Sequence, residues 1–198
     1  MEPQLLDKFD KILNYCFRLF KSKNLDYGPT WFLYRFQSLN DEIWRKVKRI
    51  RTLEEHDDYA CIPEGRDIEY VGIINYCIMF LIKLDTSAGI PTNDDVTEDL
   101  EVLDKIDNDI IYNAYQAHMT TVRELLIKKN TDYGDAWKSM SLTSMTDQVI
   151  IRVYRIRKIL LNNGKCSVSE GIIAQLHDII NYCVFALIKM DTNLFTNG

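Results

Sequence analysis

A chain that repeats itself at a fixed offset is restricted to folds in which both copies adopt the same unit. Here Lys23-Asn24-Leu25-Asp26-Tyr27-Gly28 with Trp31 returns as Lys129-Asn130-Thr131-Asp132-Tyr133-Gly134 with Trp137. Asp41 with Arg49-Ile50-Arg51 returns as Asp147 with Arg155-Ile156-Arg157. Glu64-Gly65 and Ile73-Ile74-Asn75-Tyr76-Cys77 return as Glu170-Gly171 and Ile179-Ile180-Asn181-Tyr182-Cys183. Each pair lies 106 positions apart, and the halves align without a gap from Lys23/Lys129 to Asp85/Asp191. A duplication that preserved only a core would keep mainly apolar positions. Many of the matches here are polar or aromatic, and they mark what two diverged copies of one unit both retained.

The 198 residues fit one domain of duplicated design or two small ones. The spacing divides the chain into a first repeat over 1–88, a linker over 89–97 and a second repeat over 98–198. The repeats are expected to form one globular unit, because fused halves bury more surface per residue. With 46% hydrophobic and 27% charged residues, the composition is that of a packed chain, not a disordered one. A net charge of −5 disfavours a protein that coats nucleic acid, which needs a basic face. A small phosphorylated ligand needs only a few local cations and stays open. The five cysteines (16, 61, 77, 166 and 183) form no CxxC pair and are expected to be reduced and structural, which suits the cytoplasm. Met-Glu-Pro-Gln lacks the features of a signal peptide. The run Ile73 to Leu84 is interrupted by Asn75 and Lys83 and is too short to span a bilayer, so no membrane partner is expected.

The periodicity predicts an all-α fold. Leu5, Phe9, Ile12, Leu13, Cys16, Phe17 and Phe20 recur every three or four positions, the mark of an amphipathic helix. Asn40 or Asp41 is expected to cap a second helix over about 40–56, and Glu64 to begin a third reaching about 85. After the turn-rich stretch Thr86 to Thr97, a long helix is expected from about 98 to Lys129. Counterparts of the second and third follow at about 146–162 and 169–190. Leu142-Thr143-Ser144 and Asn162-Asn163-Gly164 mark the breaks between them. Two three-helix repeats packed about a pseudo-twofold axis satisfy this pattern as one helical bundle.

The retained polar positions define the candidate site. The Lys-Asn-x-Asp-Tyr-Gly segment reads structurally as a helix cap and turn, which accounts for the glycine. It leaves Lys129, Asn130, Asp132, Tyr133 and Trp137, with Lys23, Asp26, Tyr27 and Trp31 in the first copy, as a cation, polar groups and rings suited to phosphate contact and base stacking. In the second helix Arg152 and Arg155 share a face three residues apart, and Arg49 matches Arg155. They form either a solvated basic face or a forked donor set for phosphate. In the third helix Glu170, His177 and Asn181 fall in one stripe with Asp178 adjacent. The first copy keeps Glu64 and Asn75 on that stripe but has Val71 and Gly72 where the second has His177 and Asp178. A buried asparagine needs a partner, so Asn75 and Asn181 are either polar pins between helices or part of a site. Glu170, His177 and Asp178 form a candidate catalytic cluster that could activate water, with Glu170 and Asp178 as candidate ligands of a divalent metal. On that assignment the second copy carries chemistry and the first is a degenerate scaffold.

The sequence Lys-Asn-x-Asp-Tyr-Gly-x-x-Trp, then an Asp…Arg helix, then Asp-x-x-Asn-Tyr resembles the nucleotide modification associated domain 1 family. The second copy fits throughout, and the first departs at Gly72 in place of the last aspartate. A looser similarity runs to MazG-like and dATP/dGTP diphosphohydrolase-like all-α pyrophosphohydrolases, which are often duplicated or dimeric and bind Mg²⁺ at a triphosphate. Glu54-Glu55-His56-Asp57-Asp58 and Glu64-Gly65-Arg66-Asp67 carry acidic groups at spacings other than the MazG pattern. These resemblances imply a nucleotide-binding protein that hydrolyses a (deoxy)nucleotide with Mg²⁺, with a homodimer as a possible assembly. In that role Lys129 and Arg155 meet phosphates, Tyr133 or Trp137 stacks on the base, and Asn181 orients the metal cluster. The alternative is a non-catalytic binding or interaction module whose polar residues fix helix register. No phosphate-cradling glycine loop, nucleophile motif or zinc spacing is present.

Overall fold

The computed structural model describes residues 2–56, 65–86, 103, 105–167, 170–192 and 195. Glu64, Cys61, Asp57, Asp58 and the 89–97 linker lie outside the described residues. Six long helices are found among the described residues: α1 (Pro3–Tyr27), α2 (Phe36–Glu55), α3 (Arg66–Leu84), α4 (Asn108–Tyr133), α5 (Leu142–Leu161) and α6 (Ile172–Met190). Short 3₁₀ turns, Thr30–Leu33 and Ala136–Ser139, follow α1 and α4. No strand occurs among the described residues.

The helix boundaries differ from the sequence expectation in four instructive ways. The second helix of each repeat starts about one turn early, at Phe36 and Leu142, so Asp41 and Asp147 lie inside helices and cap neither. Apolar contact supplies the extra turn of α2: Phe36 stacks on Phe80 at 5.4 Å between ring centroids. In α5 the cap is Ser141, whose side chain accepts from the Ser144 amide. Leu142-Thr143-Ser144 is therefore the first turn of α5, not a break. The Lys-Asn-x-Asp-Tyr motif, expected to follow a helix, instead forms the last turn of α1 and of α4. Gly28 (φ +66°) and Gly134 (φ +59°) then end those helices in a conformation costly for other residues. The third helices begin at Arg66 and Ile172, with Gly65 and Gly171 at the cap position, which leaves Glu170 outside α6. The fourth helix begins at Asn108, capped by the Asp107 carboxylate on the Asp109 amide.

The expected break after α5 is present, with Asn163 and Gly164 both at positive φ. α3 packs on α6, α2 on α5, and each second helix on its own third helix, while α1 and α4 flank this centre. Third helix against third and second against second is the arrangement a pseudo-twofold axis imposes. Leu39, Ile43, Val47 and Ile50 show why α2 sits inward: one stripe of the helix is fully buried. Each such side chain contributes about 1.5–3 kcal/mol of transfer free energy. α6 is long and apolar enough to cross a membrane, but its buried stripe is packed on α3 and α5 as the core helix of the bundle. Cys16, Cys77 and Cys183 are buried free thiols, Cys166 is exposed and free, and burial raises the first three far above the ordinary thiol range.

Candidate functional site

Between the second and third helices each repeat places a carboxylate against two cations. In the first repeat it is Glu69, with a side chain only 6% exposed. It accepts from Lys46 Nζ at 3.0 Å and from Arg49 Nη1. In the second repeat Asp178 takes this role: it accepts from Lys129 Nζ through Oδ1, and from Arg152 Nε and Nη2 at 3.1 and 3.0 Å through Oδ2. The Arg152 guanidinium lies over the Tyr182 ring at 4.7 Å, and its Nη1 donates to the Gln148 backbone and side-chain oxygens.

The two carboxylates do not occupy equivalent positions. Glu69 corresponds to Gln175, and Asp178 corresponds to Gly72. The negative charge has moved by three residues, about one helical turn, along the same face. A side chain at Gly72 would begin 2.6 Å from Lys46 Cε, so Lys46 fills the volume that Asp178 occupies in the other repeat. One consequence is Arg155. Its counterpart Arg49 is bound by Glu69, whereas the second repeat carries the uncharged Gln175 at the position of Glu69. Arg155 is exposed and makes no ion pair among the described residues.

The second difference lies in the buried polar atoms. Asn75 Oδ1 accepts from Tyr115 Oη at 2.5 Å, and Trp31 Nε1 donates to Asn24 Oδ1 at 3.2 Å. Their counterparts Asn181 Oδ1 and Trp137 Nε1 are buried without a partner, as are Gln175 Oε1 and His177 Nε2. The position matching Tyr115 is Phe9, which has no hydroxyl to offer. Asn130, matching Asn24, turns its amide toward Gly134 and Asp135 instead of toward Trp137. His118 Nε2, also buried without a hydrogen bond, lies 3.7 Å from Asp85. Burial lowers the proton affinity of both histidines below the ordinary value, and for His177 the neighbouring His118 and Lys129 act in the same direction. A buried polar atom without a partner is costly, and such atoms gather where a water or ligand is accommodated.

The site residues expected from sequence fall into three groups. Lys129, Arg152, Asp178, His177 and Asn181 share the α4–α5–α6 side of the second repeat, as Arg49 and Asn75 share the first. Lys23, Asp26, Tyr27, Asp132, Tyr133 and Arg155 are exposed. Trp31 and Trp137 are core residues: Trp31 stacks on Phe32 at 3.8 Å and Trp137 on Phe185 at 4.4 Å. Trp137 is therefore a wedge between helices and not a platform for a base, whereas Tyr133, 75% exposed, has its ring open to solvent.

As placed, the acidic groups do not fit a divalent metal. Asp178 spends both oxygens on Lys129 and Arg152, and Glu170 is exposed ahead of α6, off the stripe that His177 and Asn181 share. No three His, Cys, Asp or Glu side chains gather as a metal requires among the described residues. Sequence reasoning missed Glu69, Gln175 and His118. The paired exchange of Glu69 for Gln175 and Gly72 for Asp178, three positions apart, was the signal that could have found the first two.

No curated protein and no solved structure matches this chain. Residues 23–84 and 129–190 each match the model of one family, and together they cover more than half of the chain. The chain belongs to the nucleotide modification associated domain 1 family, as a tandem duplication of its unit.

Proposed function

We propose that the second repeat binds a nucleotide, with Lys129 and Arg155 meeting its phosphates and Tyr133 offering a ring to its base. The observation that carries this is the asymmetry of the repeats. Where the first closes Lys46, Arg49, Asn24 and Asn75 on internal partners, the corresponding side of the second leaves Arg155 in solvent and four buried polar atoms of Gln175, His177, Asn181 and Trp137 unpaired. Lys129 keeps donors for a ligand, since its side chain is 43% exposed and Asp178 takes one of its three N–H groups. Arg152, 12% exposed and bonded on all sides, is a positioning residue that holds Asp178, which in turn holds Lys129. Cations around a single carboxylate leave a local positive surplus despite the acidic chain, and a phosphate needs no more than that. The family to which the chain belongs is associated with nucleotide modification, which agrees with this ligand class.

The donors do not fit a resident Mg²⁺, so what we propose is binding. Titration of the full chain with a panel of nucleoside mono- and triphosphates, followed by calorimetry, tests it. We expect saturable binding that Lys129→Ala and Arg155→Ala each weaken about tenfold and that Lys23→Ala leaves unchanged. Binding should weaken as salt rises. Absence of binding across the panel, or equal affinity in Lys129→Ala, overturns it. Product analysis in the same samples, with Mg²⁺ present, reports whether pyrophosphate is released. The non-catalytic alternative is favoured by one observation, the mutual satisfaction of Lys46, Arg49 and Glu69, and it describes the first repeat well.

A further inference from the structure

The pseudo-twofold axis brings the start of α2 beside the end of α5, and the start of α5 beside the end of α2. In the second of these corners the facing polar groups pair with one another. Thr146, 1% exposed, pairs with Tyr70 Oη at 2.8 Å and with Glu54 Oε1 at 2.7 Å, and Arg51 Nη1 meets Asp147 Oδ1 at 3.2 Å. The first corner has the corresponding frame with its partners removed. Thr146 corresponds to Asn40, Glu54 to Leu160 and Tyr70 to Leu176, so the buried side chain at position 40 faces leucines where its counterpart finds oxygens. Asn40 is 2% exposed, and its Oδ1 is buried with no hydrogen-bond partner. Asp41 and Arg157, the counterparts of Asp147 and Arg51, make no ion pair with each other among the described residues. Between them lies a cavity of about 100 Å³ lined by Gln37, Asn40, Asp41, Arg157, Leu160 and Leu161.

We propose that this cavity binds a small zwitterion of α-amino-acid size. Its ammonium donates to Asn40 Oδ1 at the floor and to the Asp41 carboxylate. Its carboxylate accepts from Arg157, whose forked donors suit that geometry. Leu160 and Leu161 cover the aliphatic carbon. Opposite charges that pair directly in one corner are held apart across a gap in the other, and a molecule charged at both ends bridges such a gap. The volume agrees: a cavity of about 150 Å³ accommodates benzene, so one of about 100 Å³ suits a molecule of about six heavy atoms. A whole nucleotide is too large for it. The site shares no residue with the Lys129–Asp178 cluster and stands whether or not that cluster binds nucleotides.

The test is an amide-resolved NMR titration of the full chain with L-alanine, against acetate and ethylammonium as half-molecules. Alanine is expected to give saturable shifts over residues 37–41 and 157–161. Arg157→Gln and Asp41→Asn, both surface substitutions, should each weaken it about tenfold or more. Arg51→Gln, in the closed corner, should leave it unchanged. Asn40→Leu, which removes the bare acceptor and fills the floor, should abolish it. Absence of saturable shifts with alanine, equal affinity for either half-molecule, or indifference to Arg157→Gln overturns the proposal and leaves a cavity that holds water only.

Discussion

Moving a carboxylate from one rung of a helix to the next should be reversible, and the first repeat permits the experiment. Glu69→Gln installs the residue that the second repeat carries at this position. It removes the negative charge between Lys46 and Arg49, whose side chains are 17% and 24% exposed. Leaving a fully buried charge unpaired costs about 3–5 kcal/mol. Here both cations have long stems that can carry their heads toward water, so about 2–3 kcal/mol is the expected loss. In urea, with a slope of about 2 kcal/mol/M for a chain of this size, that is a midpoint lower by about 1 M or slightly more. Adding Gly72→Asp places a carboxylate where the second repeat has Asp178. The new Cβ would meet Lys46 Cε at 2.6 Å and Nζ at 2.8 Å, the mobile end of a flexible side chain. Lys46 is then expected to swing aside and pair with the new group as Arg152 pairs with Asp178. The double variant should recover at least half of the loss, whereas Gly72→Asp alone, with two carboxylates on one pair of cations, should gain nothing. The four midpoints form a double-mutant cycle. A cost below about 0.5 kcal/mol for Glu69→Gln, or a double variant at the sum of the single losses, would refute the exchange of rungs.

Two further expectations concern the buried polar groups. Tyr115→Phe strips Asn75 of its donor and makes it resemble Asn181. Unfolding should show a loss of about 1–3 kcal/mol, read as a lower Tm, and an unchanged Tm contradicts the pairing. His118 and His177 bind protons less readily folded than unfolded because burial disfavours their charge. The unfolded chain therefore takes up more protons below about pH 6.5, so stability should fall as pH drops through that value toward the lowered ones. His118→Ile with His177→Val, the residues of the first repeat, should flatten this slope between about pH 7 and 5, and an unchanged slope assigns it to other groups.

The all-α class, the duplication and the order of helices were legible because apolar spacing and turn residues are local signals. The early start at Phe36 was not, because the first turn of α2 is held by Phe80, more than forty residues away, whereas the start at Leu142 has a local signal in the Ser141 cap. Asp41 and Asp147 look like caps in sequence, but the caps are set by where α2 and α5 must begin to pack. The aromatic members of the site misled for a similar reason. Trp31 and Trp137 each belong to a 3₁₀ turn and are buried against a phenylalanine, a core role that sequence identity cannot tell apart from ligand binding.

Identity between the repeats thus marks structure more reliably than function. Asn75 and Asn181 are the same residue at the same register, yet one is bonded and the other bare, because Tyr115 stands where the opposite repeat has Phe9. Gln175, His177 and Asp178 lie where the copies disagree, and so do Asn40 and Leu160 at the far corner. A duplicated chain needs each internal bond in only one of its halves if the other half has an external partner to replace it. Under that constraint the bonds lost in a single copy, at α6 and at the α2–α5 corner, are the positions at which we propose that a ligand completes the fold.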